Sequence, residues 1–160
     1  MAKNLEDLED KNTKVIVRVS PVSEGDLEEV YQIELECFGR DAYPKLVFNY
    51  LLRNPRSIFL KATIDNILVG FIAGLCHRDE CLLYTLNVKK DFRRMGIGSI
   101  LLEALEKKAL ELNMKKIVLQ VEVTNSPAVN LYLKKGYSIT RMIKNYYGYR
   151  RDAYEAFKLL

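Results

Sequence analysis

The chain has 160 residues, 49% of them hydrophobic, and a formal net charge of +4 at neutral pH, which predicts one domain around one core. The basic residues are spread along the sequence, so nucleic acid is not expected as a partner. The longest nearly apolar run, residues 66–76, is too short to span a bilayer and the first residues lack a signal-peptide pattern, so we expect no membrane partner and a cytoplasmic location.

The first half of the chain predicts a tail followed by strands and helices. Residues 1–13 are charged and have no apolar period, so we expect a flexible tail there and a domain over residues 14–160. In chain order, we predict a strand over 14–20, helices over 26–38 and 45–53, and strands over 58–64 and 67–76. Asp65 and Asn66 suit a two-residue turn between the strands over 58–64 and 67–76, which would then be antiparallel.

The second half continues the alternation. In chain order, we predict a strand over 81–88, a helix over 97–112, a strand over 116–123, a helix over 126–135, and strands over 137–143 and 153–160. Pro127 suits the first turn of the helix that it enters, and Gly136 suits its end. This order predicts a single α/β domain in which a mixed, mostly antiparallel sheet of seven strands is flanked by about four helices.

A glycine-containing loop, Arg93-Arg94-Met95-Gly96-Ile97-Gly98-Ser99, joins a predicted strand to a predicted helix. The glycines let a ligand approach the main chain, the N–H groups of the first helical turn are free, and the arginines add positive charge. The loop is therefore predicted to bind a phosphate, with a plain turn as the alternative. No Lys follows Gly98 and position 101 is Leu, so the triphosphate and dinucleotide loop patterns do not fit.

Three segments together resemble a known family. Residues 93–98 resemble the pyrophosphate loop of the GCN5-related N-acetyltransferase (GNAT) superfamily, and residues 120–137 resemble the strand and helix that complete its cofactor site. The segment Lys144-Asn145-Tyr146-Tyr147, followed by Asp152-Ala153-Tyr154, is similar to the RimI-like protein α-amino acetyltransferases, which act on ribosomal proteins or nascent chains. The resemblance covers residues 14–160.

The resemblance implies that acetyl-CoA is the cosubstrate and lies in a gap of the sheet. It implies that the strands over 81–88 and 116–123 splay apart at a bulge near Asn87 and that the pantetheine arm enters this gap. The cofactor-binding residues that it implies are Leu86, Asn87, Val88, Arg93, Arg94, Met95, Gly96, Ile97, Gly98, Ser99, Asn125 and Tyr132. For Asn125, a helix cap is the alternative.

The resemblance also implies direct attack of an amine on acetyl-CoA in a ternary complex. It makes Tyr132 the acid that protonates the leaving thiolate, with a plain core tyrosine as the alternative. Relatives carry Glu or His where this chain has Gln120, whose amide cannot act as a base. We therefore expect Tyr84 and Gln120 to hold a water through which the proton leaves, with Glu122 either as the nearest carboxylate or as a solvated edge residue. A strong base is not essential, because the pKa of a peptide amine is about 8.

The expected substrate is the amino terminus of a protein or peptide. The residues predicted to bind it are Phe38, Arg40, Tyr43, Tyr84, Tyr146 and Tyr147, with the last two in the turn between the final strands. Aromatic residues that merely close the edge of the core are the alternative. Other acceptors of the same fold are a lysine side chain or a small amine, and a non-catalytic CoA-binding subunit or sensor is a different class. Association with a ribosome is left open.

The three cysteines, Cys37, Cys76 and Cys81, have no metal-binding spacing, so no metal is expected and reduced thiols are predicted. Cys76 and Cys81 flank a short link and would face each other across a hairpin, which makes a disulfide the alternative. His77 lies in this link and is expected to be a solvated turn residue.

Overall fold

The computed structural model describes residues 15–160, so the tail predicted over residues 1–13 lies outside the described residues. The strands are β1 (Arg18–Pro21), β2 (Ser57–Ile64), β3 (Ile67–His77), β4 (Glu80–Val88), β5 (Lys116–Glu122), β6 (Ser138–Gly148) and β7 (Arg151–Leu159). The helices are α1 (Leu27–Phe38), α2 (Lys45–Arg53), α3 (Ile97–Glu111) and α4 (Ser126–Lys134). None of these helices is long and apolar enough to cross a membrane.

The seven strands form one sheet in the order β1-β2-β3-β4-β5-β7-β6. Neighbouring strands are antiparallel except β4 and β5, which are parallel. The β4–β5 ladder runs only from the pair Glu80 and Lys116 to the pair Leu82 and Val118. Beyond it, both strands continue without pairing to each other, β4 as far as Val88. The predicted mixed sheet and its splayed strands are confirmed.

The bulge in β4 lies at Tyr84, so the prediction of a bulge near Asn87 is wrong. Two successive residues of β3 pair with Leu83 and Thr85, which leaves Tyr84 as the extra residue. A bulge of this kind bends the strand and redirects its side chains. Tyr84 packs against the core under α1, and Thr85 and Asn87 are buried on the same side. The bulge therefore turns polar side chains of β4 towards α1.

The sheet separates two hydrophobic cores. On one face, α3 and α4 pack against the sheet, with Leu101 and Leu105 of α3 fully buried. On the other face, α1 and α2 cover it, and the buried rings of Phe48 and Phe71 meet edge to face at 5.7 Å. Burial of each such large side chain is worth about 1.5–3 kcal/mol. These two layers hold the splayed part of the sheet between them.

The two hairpins before β4 are close to prediction. Asp65 and Asn66 both have positive φ (49° and 65°), as a two-residue turn with the right twist requires. In the next hairpin, Cys76 pairs with Cys81 across the strands, and both are buried, free thiols. These two residues therefore match the predicted reduced state. His77 is the last residue of β3.

The ends of the sheet differ from prediction. The first strand begins at Arg18, because the residues before it are largely exposed and pair with no described strand. β6 extends to Gly148, so Tyr146 and Tyr147 lie at the irregular end of this strand and not in a turn. There the β6–β7 pairing shifts by several residues before it resumes at Gly148 and Arg151.

Candidate active site

A cavity of about 500 Å³ opens where β4 and β5 diverge. This volume is typical of small-molecule sites. Of the residues predicted for the site, the cavity is lined by Phe38, Tyr43, Tyr84, Leu86, Gln120, Glu122, Asn125, Tyr132 and Tyr147. The cavity wall is thus formed by β4, β5, β6 and α4, and it is completed by α1 and the loop after α1.

Other predicted residues lie outside the cavity wall. Arg40 is exposed in the short turn after α1, and Tyr146 is about half exposed on β6. Asn87 is buried against α1 rather than facing the gap, and its Nδ2 donates to Glu34 Oε2 at 3.1 Å. The glycine loop lies beyond the end of β4, at the start of α3.

The glycine loop ends in a left-handed residue, Gly96, with φ 79° and ψ 9°. Glycine adopts this conformation without steric cost. The first main-chain hydrogen bond of α3 runs from the Ile100 N–H to the Gly96 carbonyl at 3.0 Å, so the N–H groups before it are free donors at the positive end of the helix. Arg94 is exposed here and forms no side-chain hydrogen bond or ion pair within residues 15–160. This geometry is typical of an anion-binding helix N-terminus.

Gly98 and Arg93 make contacts other than those predicted. A Cβ at Gly98 would lie 3.3 Å from Leu131 Cδ2, so this glycine also lets α3 and α4 pack closely. Arg93 Nε donates to the Val88 carbonyl at 3.1 Å, and its Nη2 lies 3.6 Å from Cys37 Sγ. Arg93 therefore fastens the end of β4 to the loop.

Asn125 caps α4, as the alternative interpretation held. Its Oδ1 accepts a hydrogen bond from the Ala128 N–H at 3.4 Å, and Pro127 occupies the first turn of the helix. Asn125 also lines the cavity. The cap therefore fixes where α4 begins and brings that helix end to the gap.

Tyr132 of α4 lines the cavity and is only 7% exposed. Its ring packs edge to face against Tyr137, with centroids 5.6 Å apart. Burial raises the pKa of the Tyr132 phenol well above its usual range, with a smaller contribution from the nearby Tyr147. The hydroxyl forms no hydrogen bond within residues 15–160. Because its pKa is raised, the Tyr132 hydroxyl is protonated at neutral pH. Because it has no hydrogen-bond partner among the described residues, its proton is free to be donated.

Tyr84 and Gln120 line the cavity from its two diverging strands. The Tyr84 ring stacks on the Tyr43 ring at a centroid distance of 5.7 Å. Gln120 Nε2 donates to Glu155 Oε2 at 3.1 Å, and the Gln120 carbonyl accepts from the Tyr147 hydroxyl at 3.3 Å. The Gln120 side-chain amide is thus held by β7, and the Gln120 main-chain carbonyl is held by a side chain of β6.

Arg151 connects three parts of the cavity wall, a role that the sequence did not reveal. Its guanidinium donates to both carboxylate oxygens of Glu122, each at 2.9 Å, and to both of Asp41, at 3.0 and 2.7 Å. It also donates to the Tyr147 carbonyl at 3.3 Å. The Arg151 hydrogen bonds lower the pKa of Asp41. Both carboxylates are therefore held in two-point ion pairs with Arg151, and the role of Glu122 as the nearest carboxylate for the proton stays a prediction.

Glu34 of α1 is a cavity residue that the sequence reading missed. It is 1% exposed, and its carboxylate accepts hydrogen bonds from the Thr85 hydroxyl (3.1 and 3.0 Å), the Asn87 amide (3.1 Å) and the Tyr43 N–H. Burial raises its pKa to about 7 although these hydrogen bonds lower it. The sequence held one signal for a buried role of Glu34. It lies on the same helical face as Val30, and that face is otherwise apolar.

Comparisons with known proteins agree on one family. The sequence profile described as "Acetyltransferase (GNAT) family" matches residues 27–137. An uncharacterised N-acetyltransferase of Methanocaldococcus jannaschii is 35% identical over 132 residues, which cover 82% of this chain and 84% of that protein. An N-alpha-acetyltransferase of Sulfurisphaera tokodaii is 32% identical over 125 residues, covering 70% of this chain and 75% of that protein.

A solved structure gives the same result. The crystal structure of Ard1 from Thermoplasma volcanium superposes with a TM-score of 0.85 at 31% sequence identity. It covers 91% of this chain and 99% of that one. The similarity therefore extends over most of this chain.

Proposed function

Because this chain belongs to the acetyltransferase (GNAT) family, we propose that it transfers the acetyl group of acetyl-CoA to the α-amino group of protein N-termini. It is an acetyl-CoA-dependent N-acetyltransferase. The N-alpha-acetyltransferase relative supports the α-amino group as the acceptor. The observation that carries the proposal is the cavity at the β4–β5 divergence, into which an unengaged, protonated Tyr132 reaches.

The proposed cosubstrate side of the cavity comprises Leu86, Asn125, Tyr132 and the glycine loop. Past Leu82 and Val118 the facing edges of β4 and β5 have no strand partner on that side, so their main-chain groups are available to the pantetheine amides, apart from the Val88 and Gln120 carbonyls, which already accept side-chain hydrogen bonds. The free N–H groups at the start of α3 and the exposed Arg94 suit the pyrophosphate. The groups present thus match the two polar parts of acetyl-CoA.

Tyr132 is the proposed acid of the reaction. The amine nitrogen bonds to the acetyl carbon, the carbon–sulfur bond breaks, and the leaving thiolate takes a proton. The Tyr132 hydroxyl suits this role because burial keeps it protonated and no described residue accepts its proton. Its edge-to-face contact with Tyr137 fixes the ring.

The proposed acceptor side comprises Phe38, Asp41, Tyr43, Tyr84, Glu122 and Tyr147. The stacked rings of Tyr43 and Tyr84 and the ring of Tyr147 form an aromatic wall suited to the first side chain of a peptide. Arg151 ties this wall together through Asp41 and Glu122. We retain the positioning of a water as the proposed role of Tyr84 and Gln120.

A panel of peptides tests the acceptor class. We expect acetylation, measured by mass spectrometry, of a lysine-free peptide with a free amino terminus. The matched control is a peptide with a blocked terminus and an internal lysine, which should not react. Acetylation of the control alone would identify a lysine acetyltransferase, and reaction only with polyamines would identify a small-amine enzyme. No product with any acceptor, despite acetyl-CoA binding, would favour a CoA-binding subunit or sensor.

The cytoplasm is the proposed location, and protein N-termini are the proposed macromolecular partners. The three cysteines are free thiols, which suits a reducing compartment. Fractionation of cells with an antibody against the chain tests this location, and recovery of the chain in an oxidising compartment would contradict it.

A further inference from the structure

Three carboxylates line the cavity, and they differ in their partners. Among the described residues, these are Glu34, Asp41 and Glu122. Asp41 and Glu122 both receive two hydrogen bonds from the Arg151 guanidinium. A carboxylate paired in this way is a poor proton acceptor, because protonation would break a charge-assisted pair. Glu34 is thus the one cavity carboxylate without such a pair within residues 15–160.

The surroundings of Glu34 contain neutral donors only. The Thr85 hydroxyl, the Asn87 amide and the Tyr43 N–H supply its hydrogen bonds, and no described Lys, Arg or His lies within ion-pair distance of its carboxylate. The amide of Asn87 also carries a buried Oδ1 that accepts no hydrogen bond from residues 15–160. The Glu34 carboxylate at the cavity wall and the buried Oδ1 of the adjoining Asn87 are therefore two acceptor groups without a cation, which is an environment that favours an incoming cationic donor.

The fold explains why this carboxylate is held so firmly. Glu34 lies on the face of α1 that packs on the sheet, and the bulge at Tyr84 directs Thr85 and Asn87 towards it. The hydrogen bonds span more than 50 positions of the chain, so α1 and the splayed half of β4 are fixed to each other at this point. The Glu34 side chain is therefore preorganised beside the gap.

From this geometry we propose that Glu34 is the catalytic base, which binds the substrate's α-ammonium group and accepts its proton. The inference rests on the proposed function, since it assumes an amine acceptor in this cavity. Glu34 would supply the base that the other two candidates do not. Gln120 is an amide and cannot accept the proton, and Glu122 is already paired with Arg151.

The proton balance is complete with the groups present. The Glu34 carboxylate takes one proton from R–NH3⁺ and becomes the neutral acid, and the R–NH2 nitrogen then bonds to the acetyl carbon. As the carbon–sulfur bond breaks, Tyr132 gives its proton to the thiolate and regains one from the nitrogen, which loses its second proton as the amide forms. Glu34 releases its proton to water after the products leave.

The acid–base properties of the surroundings support this role. Burial raises the pKa of Glu34 to about 7, near the working pH that suits a general base. The titratable groups that interact with it are the Cys37 thiol on α1 and the Tyr43 phenol in the loop after α1, and burial is the main cause that raises the pKa of each. Both are neutral at pH 7, and Tyr84 of β4 lines the same cavity. Neither the Cys37 thiol nor the Tyr43 phenol therefore competes with Glu34 as a base.

Glu34→Gln tests the proposal, with Glu36→Gln on the exposed face of the same helix as the matched control. We expect Glu34→Gln to lower kcat roughly 100-fold, with unchanged acetyl-CoA affinity by calorimetry, whereas Glu36→Gln keeps the wild-type rate. Glu34→Asp should recover part of the loss. Wild-type acetylation of peptides together with an unchanged rate in Glu34→Gln would overturn the inference and leave the proposed function standing.

The pH dependence separates a base from a structural residue. In the wild type, kcat should rise through a pKa near 7, and it should do so equally for peptides beginning with alanine and with β-fluoroalanine, whose fluorine lowers the amine pKa. In Glu34→Gln, the rise should instead follow the amine and shift between the two peptides. A wild-type rise that shifts with the amine would overturn the proposal.

A direct titration covers the case in which the variant does not fold. With ¹³C-labelled glutamate in the wild-type protein, the Glu34 carboxyl resonance should titrate near pH 7, and the Glu36→Gln spectrum should retain this titration. A Glu34 resonance that titrates below pH 5 would overturn the assignment, whatever the rate of the variant.

Discussion

The cosubstrate side and the acceptor side of the cavity are built in different ways. The cosubstrate side depends on main-chain geometry close together in sequence, such as the left-handed Gly96 and the free N–H groups that follow it. The acceptor side depends on side chains far apart in sequence, and the Arg151–Asp41 pair spans 110 positions. The first side suits a constant ligand, whereas the second can be changed by single side chains. Substitutions on the two sides should therefore change different kinetic constants.

The largest expected effect is on the cosubstrate side, at Tyr132. Tyr132→Phe removes the phenolic hydroxyl, and with it the proton for the thiolate, but keeps the ring. We therefore expect kcat to fall roughly 100-fold, with little change in the acetyl-CoA dissociation constant. Steady-state kinetics and calorimetry measure the two quantities. Tyr50→Phe, on the exposed surface of α2, is the control. Full turnover by Tyr132→Phe would remove it as the acid.

The next effect is on stability, on the acceptor side. The folded-state pKa of Glu34 is raised, so between about pH 4.5 and 7 the folded chain binds more protons than the unfolded chain, and stability falls as pH rises. Glu34→Gln lacks this loss and should gain roughly 2–3 kcal/mol relative to the wild type between pH 5 and pH 8. Urea unfolding at both pH values measures it, with Glu36→Gln as the control. A constant difference between wild type and Glu34→Gln would contradict the raised pKa.

A smaller effect is expected at Arg151. Arg151→Met leaves Asp41 and Glu122 unpaired and loosens the acceptor side, so the KM for the peptide should rise roughly 10-fold, about 1.4 kcal/mol. The acetyl-CoA dissociation constant should not change. Arg150→Met, at the neighbouring exposed position, serves as the control. An equal loss of affinity for both substrates would mean that the two sides are not independent.

The smallest effect is expected at Gly96. Its φ of 79° lies in the left-handed region, so Gly96→Ala should cost roughly 1 kcal/mol of stability and weaken acetyl-CoA binding a few-fold. Gly25→Ala is the matched control, because a Cβ there meets nothing within 4 Å and no positive φ is involved. Thermal unfolding and calorimetry measure both variants, and identical behaviour would exclude a conformational requirement at Gly96.

The sequence predicted the cosubstrate side better because its signals are local. The start of α3 at the glycines and the cap at Asn125 each depend on neighbouring residues, as does the two-residue turn at Asp65 and Asn66 elsewhere in the sheet. The splayed β4–β5 pair came from the family resemblance and is confirmed. The position of the bulge was wrong, since both strands of a pair decide where an extra residue is accommodated.

The acceptor side was harder to predict because its contacts are tertiary. Nothing near Arg151 in sequence indicates that it binds Asp41 and Glu122, and a solvated arginine would look the same. Glu34 gave a weak signal as a charge on an apolar helical face, but the bulge that brings Thr85 and Asn87 to it is visible only in the fold. The close packing of Gly98 against Leu131 of α4 is likewise a tertiary contact that the sequence did not indicate.

The short β4–β5 ladder has a mechanical consequence. It divides the sheet into a block of four strands and a block of three, each held by longer antiparallel ladders, while only three residue pairs join the blocks. We expect a small rotation about this ladder to change the width of the cavity without breaking any other strand pairing, although it would strain the Arg151–Asp41 ion pair across the gap. In amide hydrogen exchange, the two blocks should therefore behave as separate protected units, and the cavity can admit a long, thin molecule at little cost in unfolding free energy.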